Sequence, residues 1–209
     1  DRPILLATVF TDYICPFCYV GDVRLARLQE DYDLRINWCF LEIHPETPPE
    51  GMATSCLGYS APLWKQMTDN LEALAKEEGI AFRPHDFTTN SHQALLLAEA
   101  AREAGADTFY KLHRRLFEAF FTEGQNIGDA GVLQALARES GVSDDTVRRA
   151  WEDERYTQRL DQYLTAAREL DVRATPTIFF GEKQRLDGAL PYSAFLKAAR
   201  AGYEAQQPG

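Results

Sequence analysis

Residues 12–21 read DYICPFCYVG, and no other stretch narrows the folds open to this chain so far. The residues before it, ILLATVFT at positions 4–11, are apolar and β-branched, the mark of a buried strand. Pro16 stands where proline is welcome, in the first turn of a helix, because the N–H it lacks would be unpaired there anyway. A strand therefore runs straight into a helix, with Cys15 and Cys18 at the junction. Cys18, Gly21, Leu25 and Leu28 recur along one helical face, which turns Cys18 inward and leaves Cys15 at an exposed tip.

A cysteine at a helix start meets the positive end of the helix dipole and unpaired backbone N–H groups, both of which favour thiolate over thiol. Cys15 is thus the expected nucleophile. Cys18, within the same helical turn, is the expected resolving thiol, attacking from inside a mixed disulfide formed at Cys15. Two other readings stay open at this point. Cys39 and Cys56 complete a set of four cysteines that a structural zinc site needs, although Cys39 falls mid-strand rather than on a knuckle turn. Alternatively, the pair is inert core.

The rest of the chain supplies a frame. LRINWCFLEIHP, residues 34–45, alternates as a strand buried on both faces does, with Leu34, Ile36, Trp38 and Phe40 on one side and Cys39, Leu41 and Ile43 on the other. A proline-rich loop, PETPPEG, follows. From residue 61 the period changes to that of helices: Trp64, Met67, Leu71 and Leu74 form a stripe ended by Gly79. SHQALLLAEAARE predicts a second helix, Phe109, Leu112, Leu116 and Phe120 mark a third, and DAGVLQALARES, ended by Gly141, a fourth. No strand is predicted there. The segment from Ser143 is helical again, with Tyr156, Leu160, Tyr163, Leu164 and Ala167 on one side. ATPTIFFGEKQRLDGALPY then gives strands at 177–180 and 184–187 joined by a turn at Gly181, and a last helix follows Pro191. This order is α/β, that of a thioredoxin fold interrupted by an all-helical domain. The expected division is residues 1–60 and 151–209 for the two parts of the thioredoxin-like domain and 61–150 for the insertion.

Composition removes several function classes. With 32 acidic against 22 basic residues the net charge is -10, so a phosphate backbone is repelled and nucleic acid is not an expected partner. No apolar run approaches the roughly 18 to 20 residues that span a bilayer. The opening DRPILLATVF lacks the layout of a signal peptide, while a start at Asp1 rather than Met leaves the compartment open. Four cysteines in 209 residues are too few for a disulfide scaffold but suit one reactive pair with two further thiols, Cys39 and Cys56, for which free is preferred over a second disulfide.

DYICPFCYVG, followed by LEIHPETPPEG and closed by ATPTIFFGEKQRLDGALPY, resembles the DsbA family of thiol:disulfide oxidoreductases, specifically its FrnE-like branch, over nearly the whole chain. The resemblance implies that Pro176 is a cis proline facing the cysteine pair, with Thr175 as an edge on which an extended substrate pairs. Without it, Pro176 reads as a strand-initiating edge proline. Pro16, Phe17, Thr175 and Pro176 are the expected substrate contacts, with Asp12 and His44 as accessory groups. Asp12 is expected to cap or solvate the loop rather than relay protons, and His44, His92 and His113 are expected to be structural. Where strongly oxidising relatives carry a histidine between the cysteines, this chain has Phe17, so an intermediate potential follows.

The resemblance implies no metal and no organic cofactor. Its partners are protein or small-molecule thiols and disulfides, with glutathione or thioredoxin as electron partner, and its FrnE-like members point to the cytoplasm. An alternative from the same fold is a glutathione-dependent isomerase or transferase, whose nucleophilic position is normally serine. A non-enzymatic zinc-bound or chaperone-like module is the third reading.

Overall fold

The computed structural model describes residues 1–208. β1 (Ile4–Thr11) leads through a tight turn into α1 (Pro16–Leu28), and β2 (Asp33–Phe40) returns parallel to β1, Ile4 facing Asp33 and Thr11 facing Phe40. Next come β3 (Met52–Ala53), α2 (Ala61–Glu78) and β4 (Phe87–Thr88). Helices α3 (His92–Ala101), α4 (Ala106–Phe121), α5 (Ala130–Glu139), α6 (Asp144–Glu152) and α7 (Glu154–Glu169) follow. The chain closes with β5 (Thr177–Phe180), β6 (Gln184–Asp187) and α8 (Tyr192–Gln206). The main sheet has the order β2-β1-β5-β6, with β5 antiparallel to both of its neighbours. This is a thioredoxin fold with helices inserted between β2 and β5.

Local chemistry sets the helix limits. Ser60, Asp129 and Ser143 each accept a backbone N–H at the start of α2, α5 and α6 with their side chains, and Gly79 ends α2 in the left-handed conformation. The helical segment from Ser143 divides at Asp153, whose carboxylate caps α7 by accepting the Arg155 N–H at 2.9 Å. One expectation is corrected: the stretch from residue 61 is not strand-free, since β4 lies there and pairs antiparallel with β3. A two-residue bridge is too short to carry an alternation that sequence can show.

The sheet is covered on both faces. Leu5, Ala7 and Val9 belong to the main core with Leu25 and Leu28 of α1 and Phe195 of α8, while Phe10 and Cys39 pack against Ala167 of α7. In the insertion α3 is central and every residue from Ala94 to Ala101 is buried, including Glu99, which accepts the Tyr163 hydroxyl and pairs with Arg102. Helix α2 is the exception. It packs on α1 and buries only Leu71 and Ala75.

What holds α2 is a buried guanidinium. Arg24 of α1, 1% exposed, meets Glu78 at 2.9 Å and Glu77 at 3.1 Å, and donates to the carbonyls of Ala189 and Leu190 beyond β6. One side chain thus ties α1, α2 and the β6–α8 connection together. Removing one member of a buried pair strands the other charge at a cost of roughly 3 to 5 kcal/mol. Arg24→Met is therefore expected to destabilise the protein by about 3 kcal/mol in urea denaturation, and adding Glu78→Gln should return part of that loss. A loss below about 1 kcal/mol would show that α2 is held otherwise.

Candidate active site

Cys15 occupies the N-cap position of α1, with extended backbone (φ -93, ψ 113) and no side-chain cap. Its N–H is spent on the carbonyl of Asp12, and its own carbonyl accepts the Cys18 N–H at 3.0 Å, starting the helix. The expected exposed tip is not found: Cys15 is 4% exposed and Cys18 2%. Residues of the insertion, Trp64 and Phe121 among them, line the space in front of the helix start, and their desolvating effect is not encoded in the local pattern.

Burial by itself pushes a thiol's pKa up, yet Cys15 is held below the ordinary value, because hydrogen bonds from the side chains of Cys18 and Thr175 and from the Cys18 N–H outweigh desolvation. Cys18 moves the other way. Desolvation raises it well above the usual thiol range, and its contact with Cys15 raises it further. The two sulfurs therefore differ in kind: the first stabilised as thiolate, the second kept as a thiol that hydrogen-bonds it.

Thr175 and Pro176 reach this point from a loop 160 residues away in sequence, the Cys15 thiol lying 3.6 Å from the Thr175 carbonyl. The Thr175–Pro176 bond is cis. The proline ring sits so close to α1 that a Cβ on Gly21 would be 3.1 Å from Pro176 Cγ, which explains the glycine three residues after Cys18. Pro176 is buried, and its carbonyl accepts the Gly188 N–H at 2.8 Å, while Thr175 is half-buried.

Asp12 neither caps α1 nor meets solvent. It is fully buried, accepts the Ile43 N–H at 2.9 Å and receives a hydrogen bond from the Ser91 side chain, joining the end of β1 to the loop after β2 and to the start of α3. Desolvation raises its pKa to about 7 against these hydrogen bonds, and its charge in turn opposes ionisation of Cys15. Beside it, Tyr13 shares a 2.7 Å hydrogen bond with Nδ1 of buried His113, whose Nε2 lies 2.6 Å from Asp22. His113 is thus a fully paired core group, and His92, at the surface, pairs with Glu42.

Beyond Cys15 lies a cleft of about 240 Å³ between the start of α1 and the insertion. Pro16, Phe17 and His44 line it with Cys15, whereas Thr175, Pro176, Cys18 and Asp12 are not among its lining residues. The far wall consists of residues that sequence reasoning did not single out for function, above all Trp64, Met67, Arg83, His85 and Phe120. The stripe Trp64, Met67, Leu71 marks a helix, and helical spacing is the same whether a face meets a core or a cleft. Cys39 is buried behind the sheet and Cys56 is exposed in the turn Thr54–Leu57, both free. Among the described residues no group of three or more His, Cys, Asp or Glu side chains is placed to hold a metal ion, and no helix is long and apolar enough to cross a membrane.

The family profile described as DSBA-like thioredoxin domain matches residues 7–200. The uncharacterized protein YwbO of Bacillus subtilis is 28% identical over 196 residues, spanning 91% of this chain and 93% of its own. Among solved structures, a probable DsbA oxidoreductase from Streptomyces coelicolor superposes with a TM-score of 0.86 at 22% identity, over 98% of this chain and 92% of that one. The cytosolic disulfide reductase DsbM from Pseudomonas aeruginosa does so with 0.67 at 18% identity, over 96% of each. The chain therefore belongs to the DsbA-like thioredoxin domain family and, with its paired cysteines at the start of α1, is a thiol–disulfide oxidoreductase.

Proposed function

We propose that Cys15 is the nucleophile of disulfide exchange and Cys18 its resolving partner, with the Thr175–Pro176 edge as substrate platform. The observation that carries this reading is a cysteine pair within one turn at the start of α1, of which Cys15 lines a cleft and is held the more acidic. In the reducing direction the Cys15 thiolate attacks one sulfur of a substrate disulfide, forms the mixed disulfide and expels a thiolate. Cys18, deprotonated as Cys15 loses its charge, then attacks the Cys15 sulfur and releases the second thiolate. The protein pair is left oxidised and the substrate reduced by two electrons; the oxidising direction is the same path reversed.

The FrnE-like branch, a cytoplasmic setting and glutathione or thioredoxin as electron partner are part of the same proposal. The sequence of the C-P-F-C-Y-V-G motif and the cytosolic DsbM likeness support them. A glutathione-activating isomerase has no use for a resolving thiol. The presence of Cys18, buried and in contact with Cys15, favours exchange.

In a glutathione redox titration read by alkylation and mass, a two-electron transition is expected at Cys15 and Cys18 alone, with a midpoint between about -120 and about -270 mV. Cys15→Ser should abolish exchange, and Cys18→Ala should accumulate the mixed disulfide. Normal turnover by Cys18→Ala would sink the proposal. Phe17, which lines the cleft next to the pair, gives a second test. Phe17→His adds a group able to stabilise the thiolate and should move the midpoint toward oxidant by about 30 mV for each tenfold gain in Cys15 acidity.

Asp12 makes stability depend on pH. Its folded pKa of about 7 lies above the ordinary 3.8, so between these values the folded state binds more protons than the unfolded one, and stability falls as pH rises through that window. Asp12→Asn removes the effect. Its stability relative to the parent should improve by up to roughly 4 kcal/mol between pH 4 and pH 8 in denaturant titrations. A difference independent of pH would contradict the buried, proton-holding carboxyl.

A further inference from the structure

Helix α2 presents Trp64 and Met67 to open space rather than to the core, and Cys15 lines the same space. Phe120 and Leu71 line it as well. The apolar character continues outward through Tyr59, 41% exposed and stacked on Trp64, and Phe87, 39% exposed. A volume of about 240 Å³ suits one ring-sized group with its attachments.

One cation borders this space in a protein of net charge -10. Arg83 donates to the Glu123 carbonyl at 3.0 Å and forms no ion pair among the described residues; the Glu123 carboxylate is instead engaged by Arg115 at 3.1 Å. The guanidinium lies over Gly124, where a Cβ would come within 2.6 Å of Cζ, so its seat depends on the absence of a side chain there. Asp86 also borders the cleft, exposed, with its carbonyl spent on the Thr54 N–H. Both side chains are exposed, and Arg83 is the one seated on a backbone carbonyl and without a counter-ion among the described residues.

We propose that the cleft selects low-molecular-weight disulfides whose sulfur carries an aromatic or similarly bulky apolar group ending in an anion, with Trp64 and Met67 gripping the apolar body and Arg83 meeting the anion. This rests on the oxidoreductase reading above and names its substrate class. The step balances: the Cys15 thiolate breaks the substrate S–S bond, forms the mixed disulfide and displaces one aryl thiolate; Cys18 gives its proton to solvent and attacks the Cys15 sulfur, displacing the second, so that the cysteine pair supplies both electrons as it becomes the disulfide.

Single-turnover stopped flow of pre-reduced protein tests this with three probes: bis(carboxyphenyl) disulfide, bis(aminophenyl) disulfide and the aliphatic dithiodipropionate. Each variant is compared with the parent on the same probe, which cancels intrinsic reactivity. Trp64→Ala should slow both aryl probes about tenfold more than the aliphatic one, and Met67→Gln, which keeps a good helix former in α2, should repeat the pattern. Arg83→Gln should slow the carboxyphenyl probe about fivefold more than the aminophenyl one, with the gap closing at high salt. Equal effects on all three probes, or none, would overturn the proposal while leaving disulfide exchange intact. So would a loss confined to a scrambled protein disulfide, which would assign the cleft to polypeptides. Absence of any Cys15-dependent reaction with the three probes would instead bring down the oxidoreductase reading together with this one.

Discussion

An ionised sulfur in a buried site is costly, and the architecture around Cys15 is the set of constraints that offsets this cost. Desolvation pushes both thiols toward neutrality, and only Cys15 escapes, because donors from Cys18 and Thr175 converge on it. The helix dipole adds a contribution of about 0.3 to 1 kcal/mol at a terminus, too little to counter deep burial alone. Hydrogen bonds set the order of acidity. They require that α1 begin at Cys15, that a loop from the far end of the chain arrive beside it, and that Gly21 leave room for Pro176.

The central position of β1 makes this convergence possible. Its parallel pairing with β2 and antiparallel pairing with β5 bring the ends of three segments to one edge of the sheet. Asp12 then ties that edge to the insertion through Ile43 and Ser91, and Arg24 ties α1 to α2 and to the connection after β6. Both are buried ionisable groups holding backbone or charge from two or more segments. Polar groups in such places stabilise one arrangement over others because any displacement leaves them unpaired.

Helix α2 stands apart from this tightly paired frame. Anchored by Glu77 and Glu78 near its C-terminal end, it leaves its first half over the cleft, with Trp64 and Met67 half-buried. The chemistry of the sulfur pair and the shape of the space before it are thus built by different parts of the chain. Exchange depends on the β1–α1 junction and the Thr175–Pro176 loop; the surroundings of an incoming disulfide depend on the insertion.

Local features were legible in the sequence because short-range physics dictates them. A β-branched run, a proline in the first helical turn and cysteines at helical spacing place Cys18 inward and Cys15 at the helix start, and stripes of apolar residues mark the helices of the insertion. Period and caps depend only on neighbours along the chain. Tertiary structure alone decided that Cys15 is buried, that Asp12 is a desolvated carboxyl rather than a cap, and that Trp64 and Met67 face a cleft instead of a core. Each is a statement about what lies opposite a side chain. Desolvation and packing are set by segments many residues away, which the local pattern of a sequence does not encode.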